Sequence, residues 1–406
     1  MKRLGHVWDQ VIDIDNGLVA VMDGTRKKRG KKACQKFLFS PEEVIESPCL
    51  YRAIDPKRAR TYVKQEIIPI LENQTWKPDK PRFIRRWCPN RTSKGGKWRN
   101  LYVPSMRDHI IHHMIMKVAM PAFTRGMHPH YCGSVPGRGI KHIIRCGRRW
   151  FIRDKKCKYF VKLDIRHFFD SIDRDILMSK LKKKIKDKYL LWAFETIIYS
   201  SPVPCPVGYY PSPWLANLYL EDFDHFVEQG LYKERRGKRI KYVRHYLRYS
   251  DDILLTGTSY SDMKKAIHAI ISYLWSNLRL RIKPAWEIKR IGRHETVNGK
   301  RKLIKGTYYC DLGGYKFCKD AVISRDGIFL SARRLAKKMS RQDHYTVRQC
   351  QSINARVAWL SHANSFTLIE YQIKPYINLK QTRSVISYVD RKRVRGFQTA
   401  RVGTVS

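Results

Sequence analysis

The stretch Tyr246-Leu-Arg-Tyr-Ser-Asp-Asp-Ile-Leu-Leu-Thr-Gly257 places two adjacent carboxylates, Asp251 and Asp252, at a tight turn between apolar strands. Upstream, the strand predicted over Tyr159-Phe-Val-Lys-Leu-Asp164 ends in a third carboxylate, Asp164. Gathering three negative charges at one point is unfavourable unless a cation neutralises them. Magnesium prefers oxygen ligands and keeps some of its waters, so a few carboxylates suffice to hold it. The pattern predicts a divalent-metal site bridged by Asp164 and Asp251.

The chemistry expected of this site is nucleotidyl transfer. We expect a pair of Mg²⁺ ions, with Mn²⁺ able to replace them, because two metals can activate an attacking hydroxyl and hold the leaving group. The backbone carbonyl of Ile165 is a further expected ligand, and Asp252 has a supporting role. An Asp-Asp pair alone more often marks a turn or a helix cap. Its place between apolar strands, downstream of another strand-ending Asp, makes the metal site the stronger interpretation.

The composition favours a nucleic-acid partner. Across 406 residues, 82 lysines and arginines outnumber 35 acids, giving a formal net charge of +47, and the basic residues occur throughout the chain. Neutralising phosphates releases counterions, which supplies affinity for a polyanion. The apolar content of 43% is ordinary for a globular protein, so the charge accompanies a normal core. We see no apolar run of roughly 18 residues, so we expect no membrane association.

The cysteines and histidines suggest no further metal centre. The ten cysteines form no C-x-x-C pair and have no zinc-ligand spacing, and no histidine has a partner at a metal-binding spacing. The first nine residues lack the apolar core of a signal peptide. We therefore expect reduced thiols in a cytoplasmic protein.

The predicted elements have no internal repeats and indicate an α+β fold rather than a doubly wound sheet. Before the strand that ends at Asp164, we predict an N-terminal helix followed by the basic run 26–32, strands at 82–87 and 98–104 around a turn at 93–97, and a helix at about 108–120. After this strand, we predict helical stretches that follow Asp164 and Pro213, a hairpin at about 241–256, a helix at 261–277 and a strand near 279–283. Two or three basic helices are predicted from Tyr315 to about 376.

Six motifs occur in a fixed order along the chain. They are Lys97-Trp-Arg-Asn-Leu-Tyr-Val-Pro-Ser-Met-Arg-Asp108, Gly133-Ser-Val-Pro-Gly-Arg-Gly139, Asp164-Ile-Arg-His-Phe-Phe-Asp-Ser-Ile-Asp173, Gly208-Tyr-Tyr-Pro-Ser-Pro-Trp-Leu-Ala-Asn-Leu-Tyr219, Tyr249-Ser-Asp-Asp252 and Leu312-Gly-Gly-Tyr315. The set resembles the reverse transcriptases of bacterial retroelements, from about residue 7 to 375. The resemblance implies a right-hand polymerase with fingers, palm and a short helical thumb.

The resemblance also implies a domain organisation. An N-terminal helical and basic extension would occupy 1–50, the fingers 51–158, the palm with a fingers insertion 159–315, the thumb 316–380, and a basic C-terminal tail 381–406. No His/Cys-rich nuclease module and no ribonuclease H acid set follow the thumb motif in the sequence. A mobile intron enzyme is therefore less expected than a domesticated or phage-associated one.

Further site residues follow from the resemblance. Phe169 lies five residues after Asp164, where the family places a bulky side chain against the sugar, and a ring there would exclude a ribose 2′-hydroxyl. Alternatively Phe169 is a core aromatic, although Phe168 fits that role more naturally. Lys283 or Lys289 would protonate the leaving pyrophosphate, or each is a solvated surface lysine. The remaining predicted contacts are Lys97 and Arg99 to the triphosphate, Val207 and Gly208 to the nascent base pair, and Tyr249, Ser212, Gly313 and Gly314 to primer and template. Alternatively, Lys97 and Arg99 belong to a solvated hairpin tip, and Tyr249 fits plain strand packing equally well.

The subclass depends on Val207. Many relatives have Gln just before the glycine of this motif, whereas an aliphatic residue followed by Gly-x-x-x-Ser resembles the error-prone diversity-generating retroelement enzymes. Those enzymes usually have Gln after the Ser, and this chain has Pro213. Antiphage reverse transcriptases of the unclassified bacterial groups share much of the pattern. Diversification and phage defence therefore both stay open.

The resulting expectation is an RNA-directed DNA polymerase that makes cDNA from a dedicated structured non-coding RNA. Its partners would be that RNA, a DNA primer and cDNA product, dNTPs, and either an accessory protein or a second copy of the chain. The alternatives are a group II intron-type maturase and a non-catalytic RNA-binding scaffold on a degenerate palm.

Overall fold

The computed structural model describes residues 3–26, 28, 34, 55–89 and 95–402. Most of the basic run predicted at 26–32 and the tip of the turn predicted at 93–97 lie outside these residues. Within the described ranges, the elements alternate between helices and short, largely antiparallel strands, which confirms the α+β class. No helix among the described residues is long and apolar enough to cross a membrane.

The helices are numbered in chain order. They are α1 (Trp8–Val11), α2 (Ile14–Thr25), α3 (Pro56–Tyr62), α4 (Ile68–Glu72), α5 (Met106–Thr124), α6 (Ile140–Gly147), α7 (Arg174–Lys184), α8 (Lys188–Ser200), α9 (Ser212–Tyr219), α10 (Glu221–His225), α11 (Tyr260–Leu278), α12 (Asp326–Met339), α13 (Val347–Ser361), α14 (Phe366–Gln372) and α15 (Leu379–Val402). Single π-helical turns join α3 to α4 and extend α6 and α10.

The strands are numbered in the same way. They are β1 (Arg82–Pro89), β2 (Gly96–Val103), β3 (Tyr159–Asp164), β4 (Tyr232–Arg235), β5 (Lys238–Lys241), β6 (His245–Tyr249), β7 (Asp252–Gly257), β8 (Lys289–Arg290), β9 (His294–Val297), β10 (Lys300–Leu303), β11 (Cys310–Leu312), β12 (Tyr315–Phe317) and β13 (Val322–Ser324). β3 has the predicted bounds, and β1 and β2 pair as the predicted hairpin.

The described residues form two compact units. The first comprises those up to Cys88, Gly96–Pro136 and Val161–Glu287; the second comprises Pro89, Gly95, Gly137–Phe160 and those from Ile288 onward. The predicted fingers, palm and thumb boundaries stay a prediction, since the compact division falls after Glu287 rather than after Tyr315.

The first unit is organised around the strands β6, β7 and β3, which are neighbours in this order. β6 and β7 form an antiparallel hairpin in which Tyr249 pairs with Asp252. The apolar residues Ile253, Leu254 and Leu255 of β7 are all buried, so the strand has apolar side chains on both faces. Helix α11 begins at the N-cap Ser259 and packs on β7. This burial fixes the register of the hairpin and hence the position of its acidic turn.

The strand predicted near 279–283 is wrong. Arg279 ends α11 in the left-handed region, with φ +52°. After it, Ile282 forms a single antiparallel bridge with Ile165 instead of a strand. Because the chain turns at Arg279, directly after the long helix α11, too few residues remain here to pair as a regular strand. The apolar pattern of the sequence does not reveal this turn.

The second unit contains two hairpins whose turns suit their sequences. Asn298 and Gly299 join β9 to β10, and Gly313 and Gly314 join β11 to β12, all four with positive φ. Two-residue turns of this kind require positive φ at both positions, which Asn and Gly tolerate. The second hairpin extends into the three-stranded sheet β11-β12-β13.

Four helices complete the second unit. Apolar residues of α12, α13 and α14, among them Met339, Ile353 and Leu360, share one buried core. Helix α15 packs against α13. The segment predicted as a basic tail from residue 381 is thus helical as far as Val402.

Candidate active site

The structure brings Asp164, the last residue of β3, next to Asp251, which lies in the turn before β7. The backbone N–H of Ile165 donates to the carbonyl oxygen of Asp251 at 3.3 Å. Asp164 is the last residue of β3 and Asp252 the first of β7, and the two strands lie side by side. The three predicted acids therefore occupy the point where β3 ends and β7 begins.

The other edge of β3 determines where the carbonyl of Ile165 points. Here the N–H of Lys283 donates to the carbonyl of Asp164 at 2.9 Å, and the N–H of Arg166 donates to that of Arg281 at 2.8 Å. The N–H and C=O of one strand residue point to the same side, and successive residues alternate. Since the N–H of Ile165 faces Asp251, its carbonyl faces the acidic turn as well.

The acids interact electrostatically. Burial raises the pKa of Asp251, and the nearby charges of Asp252 and Asp164 raise it further. The ammonium of Lys283 acts in the opposite direction, and its Nζ lies 2.6 Å from Oδ1 of Asp164, with both side chains partly exposed. Mutual repulsion of this kind is relieved by a bound cation. Three carboxylates and one backbone carbonyl are hard oxygen donors, and the set fits Mg²⁺.

A buried arginine supports the acidic turn. Arg248 donates from Nε and Nη2 to the two carboxylate oxygens of Asp224, both at 2.6 Å, and from Nη1 to the carbonyl of Ser250 at 3.0 Å. Burial disfavours the charged guanidinium, but the Asp224 carboxylate outweighs this effect and the net pKa of Arg248 is raised. The hydroxyl of Tyr246 also donates to Asp224. Ser250 itself has φ +57°, as a tight hairpin turn requires.

The segment 131–133, which lies beside β6, also supports the acidic turn. The N–H of Cys132 donates to the carbonyl of Arg248 at 2.8 Å, and the ring of Tyr131 lies 4.2 Å from the guanidinium. Gly133 follows, and a Cβ at this position would come within 2.9 Å of the backbone nitrogen of Ser250. The glycine that opens the second sequence motif is therefore required by close approach of the two backbones.

The predicted nucleotide contacts lie on or beside β2. Lys97 and Arg99 are both exposed on this strand. The N–H of Tyr102, further along the strand, donates to the carbonyl of Val207 at 2.9 Å. Gly208 has φ +126°, and a Cβ there would lie 2.2 Å from the carbonyl oxygen of Tyr102. The structure thus joins β2 directly to the Val207–Gly208 motif.

The residues after Asp164 separate into a buried and a half-buried aromatic. Phe168 is 3% exposed, whereas Phe169 is half-buried beside it, with ring centroids 5.3 Å apart. This burial agrees with the core role expected for Phe168. The sugar contact of Phe169 stays a prediction.

The predicted primer and template residues lie in both units. In the first unit, Ser212 is buried and donates to the carbonyl of Pro206 at 2.8 Å, while Tyr249 is 41% exposed. In the second, a Cβ on Gly314 would lie 3.1 Å from the ring of Trp359. The contacts of these residues with primer and template stay a prediction.

Comparison with known proteins decides the family of this region. Residues 89–285 match the family described as reverse transcriptase (RNA-dependent DNA polymerase). Residues 89–285 are a reverse transcriptase domain. The right-hand polymerase class inferred from the sequence is thereby confirmed, as is the affinity with bacterial retroelement enzymes.

The reverse transcriptase domain has relatives among retron and intron proteins. The retron Ec73 reverse transcriptase of Escherichia coli is 28% identical over 199 residues, which are 47% of this chain and 57% of that protein. The group II intron-encoded protein LtrA of Lactococcus lactis subsp. cremoris is 29% identical over 179 residues, 41% of this chain and 28% of LtrA. The chain thus spans little more than half of the first relative and less of the second.

A solved structure of telomerase from Candida albicans, in complex with a fragment of telomeric RNA, is also similar to this chain. The TM-score is 0.43 and the identity 10%, over 76% of this chain and 60% of the telomerase chain.

Two features of the reverse transcriptase domain escaped the sequence interpretation. One is the Arg248–Asp224 pair, and the other is the contact between Lys283 and Asp164. An arginine inside an apolar strand is a signal for a buried charge, but the sequence does not say which acid pairs with it. The sequence does not distinguish Lys283 from Lys289, and only the bridge between Ile165 and Ile282 reveals the place of Lys283 beside Asp164.

Proposed function

We propose that this chain is an RNA-directed DNA polymerase acting by two-metal nucleotidyl transfer. The observation that supports this most strongly is the hydrogen bond from the N–H of Ile165 to the carbonyl of Asp251, because it joins the ends of two strands that carry acids. The match to reverse transcriptases covers this same region. The net charge of +47 suits a protein that handles RNA and DNA together.

In this proposal, Asp164, Asp251 and the carbonyl of Ile165 hold Mg²⁺, and Asp252 supports them. Bound Mg²⁺ would lower the pKa of the primer 3′-hydroxyl and neutralise the triphosphate and the leaving pyrophosphate. Lys283 lies next to Asp164 and is half-exposed, so its ammonium is placed to donate a proton or a charge-assisted hydrogen bond to a phosphate.

The exposed β2 residues orient the nucleotide. Arg99 presents a planar fork that matches phosphate oxygens, and Lys97 presents a compact charge two residues before it. Both side chains would clamp the triphosphate, while Val207 and Gly208 contact the nascent base pair. Phe169 would select deoxynucleotides by excluding the 2′-hydroxyl.

The test is deoxynucleotide incorporation on a primed RNA template with Mg²⁺. The double variant Asp251→Ala with Asp252→Ala should lose incorporation while its RNA binding, measured by filter retention at the same salt concentration, stays close to that of the wild type. Asp15→Ala, which removes an exposed acid in α2, is the matched control and should retain activity. Magnesium-dependent synthesis by the double variant would refute the assignment.

The biological setting we propose is a diversity-generating or antiphage-defence retroelement. The proposal of a diversity-generating element rests on Val207, because an aliphatic side chain makes no hydrogen bond to the nascent base pair and would select bases less strictly. Val207→Gln should then lower misincorporation, and an unchanged error spectrum would remove the idea. Sequencing the cDNA that copurifies with the chain separates the two settings: errors at template adenines indicate diversification, and repetitive products indicate defence.

The intron-type maturase is a second candidate, favoured by the similarity to LtrA over 41% of this chain. A maturase would accelerate splicing of an intron RNA that includes the flanking sequence. A non-catalytic RNA-binding scaffold would bind RNA in a salt-sensitive manner without any polymerisation, and the three intact acids argue against it.

A further inference from the structure

A second group of metal-binding side chains lies in the second unit. His294 begins β9, while Cys318 and Asp320 lie in the turn between β12 and β13. Their ligand atoms all lie within 4.8 Å of one another. Cys318 is fully buried and the His294 side chain is 8% exposed. His294 lies 24 residues before Cys318 in the sequence, so no zinc-ligand spacing rule finds the group.

The distances within the group suit a tetrahedral ion. The Nδ1 of His294 lies 3.0 Å from Oδ1 of Asp320 and 3.8 Å from Sγ of Cys318, and Sγ lies 3.4 Å from Oδ1. Zinc binds sulfur at about 2.3 Å and nitrogen or oxygen at about 2.0–2.2 Å, so neighbouring ligands of a tetrahedral site are about 3.3–3.6 Å apart. The three measured distances scatter around this range.

The surrounding residues fix the orientation of two of these ligands. The Nε2 of His294 lies 2.7 Å from the hydroxyl of Tyr309, which leaves Nδ1 for a metal. Arg301 donates to Oδ2 of Asp320 at 2.5 Å, and Oδ1 is the carboxylate oxygen that also lies 3.4 Å from Sγ of Cys318. Metal-binding histidines and carboxylates are commonly held in this way by a hydrogen bond to their other polar atom.

We propose that His294, Cys318 and Asp320 bind a zinc ion, with water as the fourth ligand. The ion would tie the β9–β10 hairpin to the turn between β12 and β13. On binding, the thiol of Cys318 gives its proton to solvent, so a thiolate and a carboxylate balance the two charges of the ion. This site is independent of the magnesium site and of the proposed polymerase activity.

The rival interpretation is a hydrogen-bonded triad with no metal. In that case Nδ1 of His294 is hydrogen-bonded to the Asp320 carboxylate, and the thiol of Cys318 donates to Asp320 or to the carbonyl of Ala321, 3.3 Å away. Burial raises the pKa of Cys318 to about 11, so without a metal this thiol stays protonated at neutral pH. The two interpretations therefore differ in the charge of the sulfur, which can be measured.

The experiment uses the purified full chain and zinc or cobalt(II) as the probe. After incubation with zinc chloride and desalting, elemental analysis should find one tightly held zinc per chain. Asp320→Asn and Cys318→Ser should lose it. Cys350→Ser, which changes a buried thiol in helix α13, should keep it. Cobalt(II) added to the metal-free wild type should give the near-ultraviolet absorption of a thiolate ligand, and Cys318→Ser should not.

The wild-type chain alone can overturn the proposal, so misfolding of a variant does not obscure the result. Wild-type protein that retains no zinc and shows no cobalt–thiolate absorption establishes the metal-free triad. Zinc bound equally by the wild type and by Cys318→Ser places the ion elsewhere and also overturns the proposal.

Discussion

Arg248 and Asp224 are joined side by side by two hydrogen bonds of 2.6 Å, and the same guanidinium donates to the carbonyl of Ser250 in the acidic turn. Both side chains are almost completely buried. A buried ion pair of this kind contributes little net stability compared with apolar packing, but removal of one partner leaves the other charge unpaired. We infer that the pair positions the turn that carries Asp251.

Asp224→Asn should therefore destabilise the protein strongly. Removing the charge leaves the Arg248 guanidinium buried without its counterion, so we expect a loss of about 3–5 kcal/mol in the free energy of unfolding. Urea denaturation measures it. Asp15→Asn, which breaks the exposed pair with Arg60, should cost less than about 1 kcal/mol. Equal losses in the two variants would contradict the role of the buried pair.

Gly208→Ala should disturb the contact between β2 and the Val207–Gly208 motif. The added Cβ would lie 2.2 Å from the carbonyl oxygen of Tyr102, and the backbone at Gly208 has φ +126°. Gly237→Ala is the matched control, since Gly237 has φ +69° but open space around it. We expect about 1–2 kcal/mol of destabilisation in the control from the left-handed backbone alone, and more in Gly208→Ala. Thermal unfolding and nucleotide KM would show the difference; similar values in both variants would argue against a tight contact.

Truncation of Phe169 should change sugar selectivity, whereas truncation of Phe168 should reduce stability. Phe169→Ala should admit ribonucleotides, raising their incorporation relative to deoxynucleotides on the order of 10-fold, because a steric block is removed. Phe168→Ala should instead cost about 3–5 kcal/mol of stability, since that ring is buried. Single-nucleotide extension with rNTP and dNTP measures the first effect and urea denaturation the second. Unchanged sugar selectivity in Phe169→Ala would remove that residue from the sugar site.

His112, a fully buried histidine of helix α5, should make the protein sensitive to acid. Burial lowers the pKa of His112 to about 3, and neither ring nitrogen has a hydrogen-bond partner among the described residues. Between pH 6.5 and about 3 the unfolded chain binds a proton that the folded chain does not, so stability falls as the pH falls. This one group contributes up to about 1.4 kcal/mol per pH unit.

The measurement is urea denaturation of His112→Phe between pH 7 and pH 4. The variant should lose part of the acid-induced decrease in stability. His268→Phe, which changes an exposed histidine of α11, should keep the slope of the wild type. A His112→Phe slope identical to the wild type would show that this ring does not titrate as its burial implies.

The acidic strands could be predicted because two local patterns agree. Apolar residues on both sides of Asp251 and Asp252 define a buried hairpin, and the run that ends at Asp164 has the bounds of β3. Such patterns involve residues that are neighbours in the sequence, so they can be recognised from a single sequence. The Gly313-Gly314 turn is predictable for the same reason, since its conformation follows from the residues themselves.

The residues that the sequence did not reveal interact across long separations. From the sequence, Asp224 could pair with any buried basic residue. Only the structure, in which α10 lies near β6, shows that its partner is Arg248. His294, Cys318 and Asp320 come together because the β9–β10 hairpin lies beside the turn after β12. Sequence spacing describes residues of one segment, so it cannot detect a group of side chains that different strands and turns bring together.

The shared metal site of Asp164 and Asp251 can be tested with Fe²⁺ and added hydrogen peroxide. Where Fe²⁺ replaces Mg²⁺, it reduces the peroxide to hydroxyl radicals, which cleave the nearby backbone. We predict cleavage next to Asp164 and next to Asp251 in the same sample. Excess Mg²⁺ should suppress both cuts, and Asp251→Ala should abolish both. Cuts at one of the two segments only, or cuts near Asp164 that survive Asp251→Ala, would contradict a site formed jointly by the two strands.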